Sequence, residues 1–333
     1  MIPYFGSRKE RMELTIRAGW RGIDEKQHCG HSDVRNNTRS SIDASKRRAH
    51  DWHQSRAHSK TASASFGRVI MYLNLEGRSV LVTGASQGIG AGIAMAFARE
   101  GCQLRLVARS AERLAAVAED IVSHCGVDVE TLAIDMTEQH AIARVAEFGG
   151  CPDVLVNNAG SIPAGNLWEV DEAHWRSGWE LKVFGYINLV RALYPMMAAR
   201  RRGVILNNIG NGGENFDFDY IAGSTGNAAL MAFTRALGGR SLPDDGIRVI
   251  GVNPGPVDTD RIRAVLKRRA STTWGDASRY TELLERYPLG RAATVDEIAE
   301  LFVFLASDKS GYTSGTIVTV DGGITSRRSV SQT

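Results

Sequence analysis

Short apolar runs recur along the chain from residue 79 onward, and between them lie longer stretches in which apolar positions return every three or four residues. The runs SVLVT (79–83), QLRLV (103–107), VETLAI (129–134), DVLV (153–156), GVILNN (203–208), IRVIGV (247–252) and TIVTV (316–320) predict seven strands. Residues 88–100, 110–124, 137–148, 172–201, 223–240 and 295–306 predict amphipathic helices. Short apolar strands alternating with helices require a parallel sheet covered on both faces. The pattern therefore predicts an α/β fold, a doubly wound parallel sheet of seven strands in a single domain, binding its ligands beyond the carboxyl ends of the strands.

Residues 1–70 follow neither period. From Arg35 to Phe66 the segment is rich in Ser, Arg, His and Lys with hardly an aliphatic side chain, a composition that cannot repay its ordering entropy. It is expected to be a disordered basic extension, with residues 71–333 as the folded domain and Met71 as the natural start. Its acids, Glu10, Glu13, Asp24, Glu25, Asp33, Asp43 and Asp51, argue against a transit peptide. His28-Cys29-Gly30-His31 lacks a second ligand pair at zinc spacing and reads as solvated coil.

Charge sharpens this division. The net charge of +3 over 333 residues averages two unlike pieces: 14 Lys and Arg against 7 Asp and Glu in residues 1–70, and 26 against 30 in the remainder. The folded part is mildly acidic, which speaks against a nucleic-acid partner. No run approaches the ~18 apolar residues of a membrane span. Four scattered cysteines without a Cys-x-x-Cys pair fit a reducing compartment, so the expected setting is cytoplasmic, with no metal.

The first strand runs into Thr83-Gly84-Ala85-Ser86-Gln87-Gly88-Ile89-Gly90 and then a helix. Gly84 permits a tight turn, while Gly88 and Gly90 let backbone approach a pyrophosphate at the positive helix end. The chain here resembles the short-chain dehydrogenase/reductase family, whose glycine pattern is Thr-Gly-x-x-x-Gly-x-Gly, and the resemblance extends over residues 76–323. Asn157-Asn158-Ala159-Gly160 is similar to the family's Asn-Asn-Ala-Gly, and Asp135 matches its adenine-contacting Asp. Pro254-Gly255-Pro256-Val257-Asp258-Thr259 resembles the Pro-Gly loop, where the Val backbone and Thr hydroxyl hold a nicotinamide carboxamide. The resemblance implies a Rossmann-like, NAD(P)-dependent oxidoreductase. Its implied cofactor contacts are Gly84, Ser86, Gln87, Gly88, Ile89, Gly90, Arg109, Asp135, Asn157, Ala159, Gly160, Pro254, Gly255, Val257 and Thr259.

An acid ending the second strand would accept from a ribose 2′-hydroxyl and repel a 2′-phosphate. This chain has Ala108-Arg109-Ser110 there, and a guanidinium suits phosphate, so NADP is preferred with NAD as the alternative. Gln87 stands where NADP-preferring relatives often carry a second base.

The family's Asn, Ser, Tyr and Lys tetrad is altered. Alignment through Trp175 and Gly185 puts Lys182 at the Asn position, and Gly210 falls at the Ser position. Two registers remain for the others: Tyr220 as Tyr with Ser224 at Lys, or a gapless match giving Gly223 for Tyr and Asn227 for Lys. The gapless register is preferred, and it makes Asn and Lys look exchanged. The seven-residue step from Tyr220 to Asn227 is similar to the Tyr-x6-Lys spacing of the family's enoyl-thioester reductases. Tyr220, Lys182 and Asn227 are therefore the candidate catalytic residues. Tyr220 would supply a hydroxyl and the Lys182 ammonium would favour its proton release, with Gly210 and Gly223 enlarging the pocket.

The substrate is expected to be a ketone or secondary alcohol; the alternatives are a C=C conjugated to a carbonyl, or a non-catalytic NADP-binding regulatory or assembly module. Glu214, Asp217 and Asp219 crowd the same loop as acid–base candidates or as solvated acids. Residues 258–290 correspond to the family's substrate lid. Within 261–290, Arg261, Arg263, Lys267, Arg268, Arg269, Arg279 and Arg286 outnumber three acids. That balance points either to a small anionic substrate, such as a carboxylate or acyl thioester, or to a solvated lid helix. The resemblance also implies a homotetramer, or a dimer, built on helices 172–201 and 223–240.

Overall fold

The computed structural model describes residues 72–329, so the expectations for residues 1–70 and for Met71 lie outside the described residues. Seven strands, β1 Ser79–Thr83, β2 Gln103–Ala108, β3 Val129–Ala133, β4 Val154–Asn157, β5 Gly203–Asn208, β6 Ile247–Pro254 and β7 Thr316–Val320, form one parallel sheet. Its order is β3-β2-β1-β4-β5-β6-β7. The alternation of side chains feeds two cores: Val80, Val82, Val204 and Leu206 face one, and Leu81 and Ile205 face the other.

The first core packs beneath helices α1 Gly88–Arg99, α2 Ala111–Cys125 and α9 Val295–Ala306, through Phe97, Leu114 and Phe302. The second lies under α3 Ala141–Gly149 and α5 Gly185–Ala199, through Val145, Leu189 and Leu193. Between these come α4 Glu172–Trp179, α6 Ile221–Asp245, α7 Asp260–Trp274 and α8 Tyr280–Leu284. Among the described residues, no helix is long and apolar enough to cross a membrane.

Three departures from the sequence expectation matter. Helix 172–201 is interrupted by a π-helical turn, Glu180–Phe184, so that α4 and α5 are separate segments of one path. The helix expected at 137–148 begins only at Ala141, because His140 adopts a left-handed φ of 64°. The lid contains two helices, α7 and α8, joined by a 3-10 turn.

Candidate active site

The carboxyl ends of the strands share one edge of the sheet, and the chain reverses its direction of travel across the sheet between β1 and β4. Such a reversal opens a crevice, because successive crossovers leave on opposite faces. Gly84, just past β1, has φ +67°, and a Cβ there would stand 2.8 Å from Ala159 Cα. Gly90 is tighter still, since its Cβ would meet the Gly84 carbonyl oxygen at 2.2 Å. Asn158 Nδ2 donates to the carbonyls of Thr83 and Gly84, both at 3.0 Å. The Thr83 hydroxyl accepts from the Asn158 and Ala159 amides. The loops after β1 and β4 are thereby tied into one surface.

Helix α1 opens at this surface without a side-chain cap from Gln87 and without an acid in its first turn. Ser110, Asp171 and Thr294 by contrast cap α2, α4 and α9. The leading N–H groups of α1 are therefore left to an outside acceptor, at the positive end of the helix dipole. Gly88 brings the Pro-Gly loop to the same place: its Cβ would lie 3.3 Å from Thr259 Cγ2. In that loop Gly255 fits closely against Asp321, Val257 bridges to Ala293, and the Thr259 hydroxyl donates to the Val257 carbonyl at 3.3 Å. These backbone approaches and the uncapped helix start form a cradle at Gly84 to Gly90 that could hold the pyrophosphate of a dinucleotide.

Asn157 sits differently from the other implied contacts. Its side chain is fully buried and donates to Asn207 Oδ1 at 2.9 Å, across β4 and β5, so it braces the sheet. Asn158 does the loop-tying instead.

At the end of β2, Arg109 Nη1 lies 3.6 Å from Asp135 Oδ2. Burial works against the Asp135 charge, but hydrogen bonds from the Thr137 amide and hydroxyl, with Arg109 beside them, hold its carboxyl below the usual range. Arg113 Nη1 donates to Gln87 Oε1 at 2.7 Å, so α2 sends a second guanidinium to the glycine loop. A second base is expected from sequence only at position 87, and Arg113 reaches that position from the first turn of the neighbouring helix.

The catalytic candidates converge at the other end of the crevice. The π-turn points Lys182 inward; its stem covers Gly160, whose Cβ would stand 2.9 Å from Lys182 Cδ, and its Nζ donates to the Ile209 carbonyl. Such turns inside helices are frequent at functional sites. Burial, with the Arg261 guanidinium nearby, pulls the Lys182 pKa down to about 7. Tyr186, buried in the same region, donates its hydroxyl to the Asn208 carbonyl, and burial with Tyr220 nearby pushes its pKa up.

Tyr220 precedes α6, and its ring lies where a side chain on Gly223 would be: a Cβ on Gly223 would stand 2.0 Å from Cε1 and Cζ of that ring. This corrects the expectation that Gly223 enlarges the pocket. The glycine makes room for a tyrosine entering one turn earlier. Gly210, with φ +114°, leaves a smaller space, 3.2 Å from Asn227 Nδ2. Asn227 is buried behind Gly210 and Gly212, its Nδ2 reaching the Gly210 carbonyl at 3.4 Å.

Ser224, the lysine position of the other register, is buried and accepts from the Asp217 amide. Two of the three loop acids are engaged elsewhere, Asp217 pairing with Arg269 at 3.0 Å and Glu214 accepting from the Thr319 hydroxyl, while Asp219 is exposed. The lid contributes Arg261, whose Nη2 lies 3.4 Å from Tyr220 Oη and 3.3 Å from the Ile162 carbonyl oxygen. Sequence reading counted it among seven lid bases and had no means of singling it out. Among the described residues, no group of three His, Cys, Asp or Glu is placed to hold a metal ion.

Residues 84–325 match the family model described as enoyl-(acyl carrier protein) reductase. The chain is 35% identical over 264 residues to oxidoreductase UcpA of Salmonella typhimurium, covering 77% of this chain and 98% of that one. It is 30% identical over 251 residues to dehydrogenase/reductase SDR family member 6 of Danio rerio, covering 75% and 98%. Among solved structures, L-sorbose reductase from Gluconobacter frateurii, complexed with NADPH and L-sorbose, superposes with a TM-score of 0.71 at 33% identity, covering 77% of this chain and 99% of that one.

Proposed function

The chain belongs to the short-chain dehydrogenase/reductase family, and from that premise we propose that it interconverts a carbonyl and a secondary alcohol with NADP(H), using Tyr220 as its proton donor and acceptor. The observation that carries this reading is the Tyr220 ring lying in the space that Gly223 leaves. A tyrosine hydroxyl is thus supplied at the crevice although the family's tyrosine position holds glycine. The nicotinamide, when bound, supplies or accepts the hydride.

The residues divide the remaining work. Tyr220 Oη donates a proton to the substrate oxygen as it gains charge during reduction. Lys182, as ammonium, stabilises the phenolate left behind. Asn227 is a positioning residue that holds the turn at Gly210 behind the Tyr220 ring. The Gly84 to Gly90 loop and the first turn of α1 hold the pyrophosphate, while Val257 and Thr259 hold the carboxamide.

The state of Lys182 gives this reading a pH test. With its pKa at about 7 the side chain is ammonium below that pH and neutral amine above it. For carbonyl reduction, kcat/KM is expected to fall as pH rises through about 7, and Lys182→Met should lower the rate and abolish the break. A break that persists in Lys182→Met would remove lysine from the mechanism. Linkage has the corresponding sign: the unfolded chain keeps this proton up to the ordinary lysine pKa of 10.5, so burying Lys182 opposes folding below about pH 7 and the penalty fades toward 10.5.

NADP over NAD rests on Arg109, Ser110 and Arg113 around the end of β2. The Arg109–Asp135 pair is exposed on its arginine side and is worth about 0–1 kcal/mol, so a 2′-phosphate can displace it at little cost. Arg109→Asp is expected to raise the Kd for NADPH by about tenfold or more while sparing NADH. Titration of both cofactors checks this, and an unchanged preference would refute the phosphate role.

The Tyr220 to Asn227 step and the matching family model support a second reading, reduction of a C=C conjugated to a carbonyl. There the same hydroxyl would stabilise an enolate oxygen. We also propose that residues 71–333 form one catalytic domain. The groove along α5 and α6 lined by Val190, Tyr194, Pro195, Phe233 and Leu237 would pair with a second copy in a dimer or tetramer.

A further inference from the structure

The arginines of the lid are not equivalent. Arg263 is neutralised by Asp258 at 2.9 Å, Arg269 by Asp217 at 3.0 Å and Arg279 by Glu282 at 2.7 Å. Arg261, in the first turn of α7, turns back toward the crevice, where its contacts are the Ile162 carbonyl and the Tyr220 hydroxyl. Both partners are uncharged, both bonds are long, and both use Nη2, which leaves most of a five-donor fork for another acceptor. Lys182 adds a second cation within its electrostatic reach, with a carbonyl as its hydrogen-bond partner. Of the acids on the facing loop, Asp217 serves Arg269, Glu214 serves Thr319 and Arg235, and Asp219 is exposed. The site thus gathers two cations beside its hydroxyl donor, and an anion entering with the substrate would relieve both.

We infer that the substrate is a short oxo acid, or the matching hydroxy acid, whose carboxylate is bound by Arg261 while its carbonyl oxygen meets Tyr220. The spacing sets the class. Since Nη2 and Oη are 3.4 Å apart, groups bonded to each must be close together in the ligand. A carboxylate attached to the carbonyl carbon, or one carbon further, meets that requirement. An acyl thioester does not, because its anionic groups lie far from the reacting carbonyl. Arg261 is here a substrate-binding residue, and its guanidinium can grip a carboxylate through two parallel bonds.

This inference rests on Tyr220 being the proton donor, but its test does not require turnover. The full chain, saturated with NADPH, is titrated calorimetrically with oxamate, an unreduced analogue of a 2-oxo acid, and with neutral methyl oxamate. Oxamate is expected to bind about 10- to 100-fold tighter, and Arg261→Gln to erase most of that ratio while Arg261→Lys retains part of it. Equal binding of acid and ester, or a preference that survives Arg261→Gln, would overturn the assignment.

Initial rates with 2-oxobutanoate and 3-oxobutanoate against their methyl esters and a coenzyme A thioester provide the second arm. The free acids should lead, and Arg261→Gln should reduce acid turnover more than ester turnover. Ketone turnover with no preference for acids would sink this inference and leave the carbonyl reductase reading standing. Selective oxamate binding without turnover of any carbonyl would remove the carbonyl reductase reading and the oxo-acid substrate with it, leaving Arg261 only as a carboxylate-binding residue.

Discussion

Replacing Tyr220 by phenylalanine is expected to lower kcat for carbonyl reduction by about 10²–10⁴-fold. The Kd for NADPH should change little. The asymmetry follows from what the substitution removes. The ring stays, so the space over Gly223 remains filled and the start of α6 keeps its packing. Only the hydroxyl goes, and with it the long contact to Arg261. Rates with a single carbonyl substrate and fluorescence titration of NADPH measure the two quantities separately. Retention of most of kcat in Tyr220→Phe would mean that the proton comes from elsewhere.

Gly90→Ala is expected to raise the Kd for NADPH by about 100-fold or more and to lower stability by roughly 1–3 kcal/mol. The added Cβ would stand 2.2 Å from the Gly84 carbonyl oxygen and 2.4 Å from Asn158 Nδ2. Neither atom can retreat cheaply, since Asn158 Nδ2 is bonded to Thr83 and Gly84, the residues that shape the loop. Relief therefore requires opening the turn that cradles the pyrophosphate. A comparison within the same chain isolates this cause. Gly239, exposed in the middle of α6, has open space where a Cβ would stand, with no neighbouring atom within 4 Å, so Gly239→Ala should stabilise by about 0.5–1 kcal/mol and leave NADPH binding alone. Thermal melts with and without NADPH read both effects. Tight NADPH binding by Gly90→Ala would show that the cradle is not where the cofactor's phosphates sit.

The strands were legible because burial on both faces leaves little choice of residue. Leu81, Val82, Val204 and Ile205 are apolar whichever side they face, and runs of that kind punctuated by helices admit few topologies. The glycine loop was legible for a related reason, since contacts as close as that between Gly90 and Gly84 exclude a side chain. The π-turn at Glu180–Phe184 was not, because Trp179, Val183 and Tyr186 are spaced as a regular helix would space them. Lys182 lies within that turn, its Nζ on the Ile209 carbonyl. Arg261 was hidden for a different reason. A count of lid charges treats all seven alike, whereas its role depends on which arginines find carboxylates: Arg263 and Arg279 find theirs within five residues, Arg269 finds Asp217 on a distant loop, and Arg261 turns instead to Ile162 and Tyr220. The Gly223 and Tyr220 pair shows the limit most plainly. Alignment registers an absent tyrosine at one position, and only the fold shows another ring in the same space.

Hydride transfer from [4,4-²H₂]NADPH, labelled on both faces, tests the central claim most directly. The full chain is incubated with the labelled cofactor and a panel of oxo acids, neutral ketones, enones and enoyl thioesters, and the products are read by mass spectrometry. Deuterium on the carbinol carbon of a reduced carbonyl, formed by the wild type and lost in Tyr220→Phe, is the predicted result. NADPH bound tightly with no deuterium in any product would contradict the account.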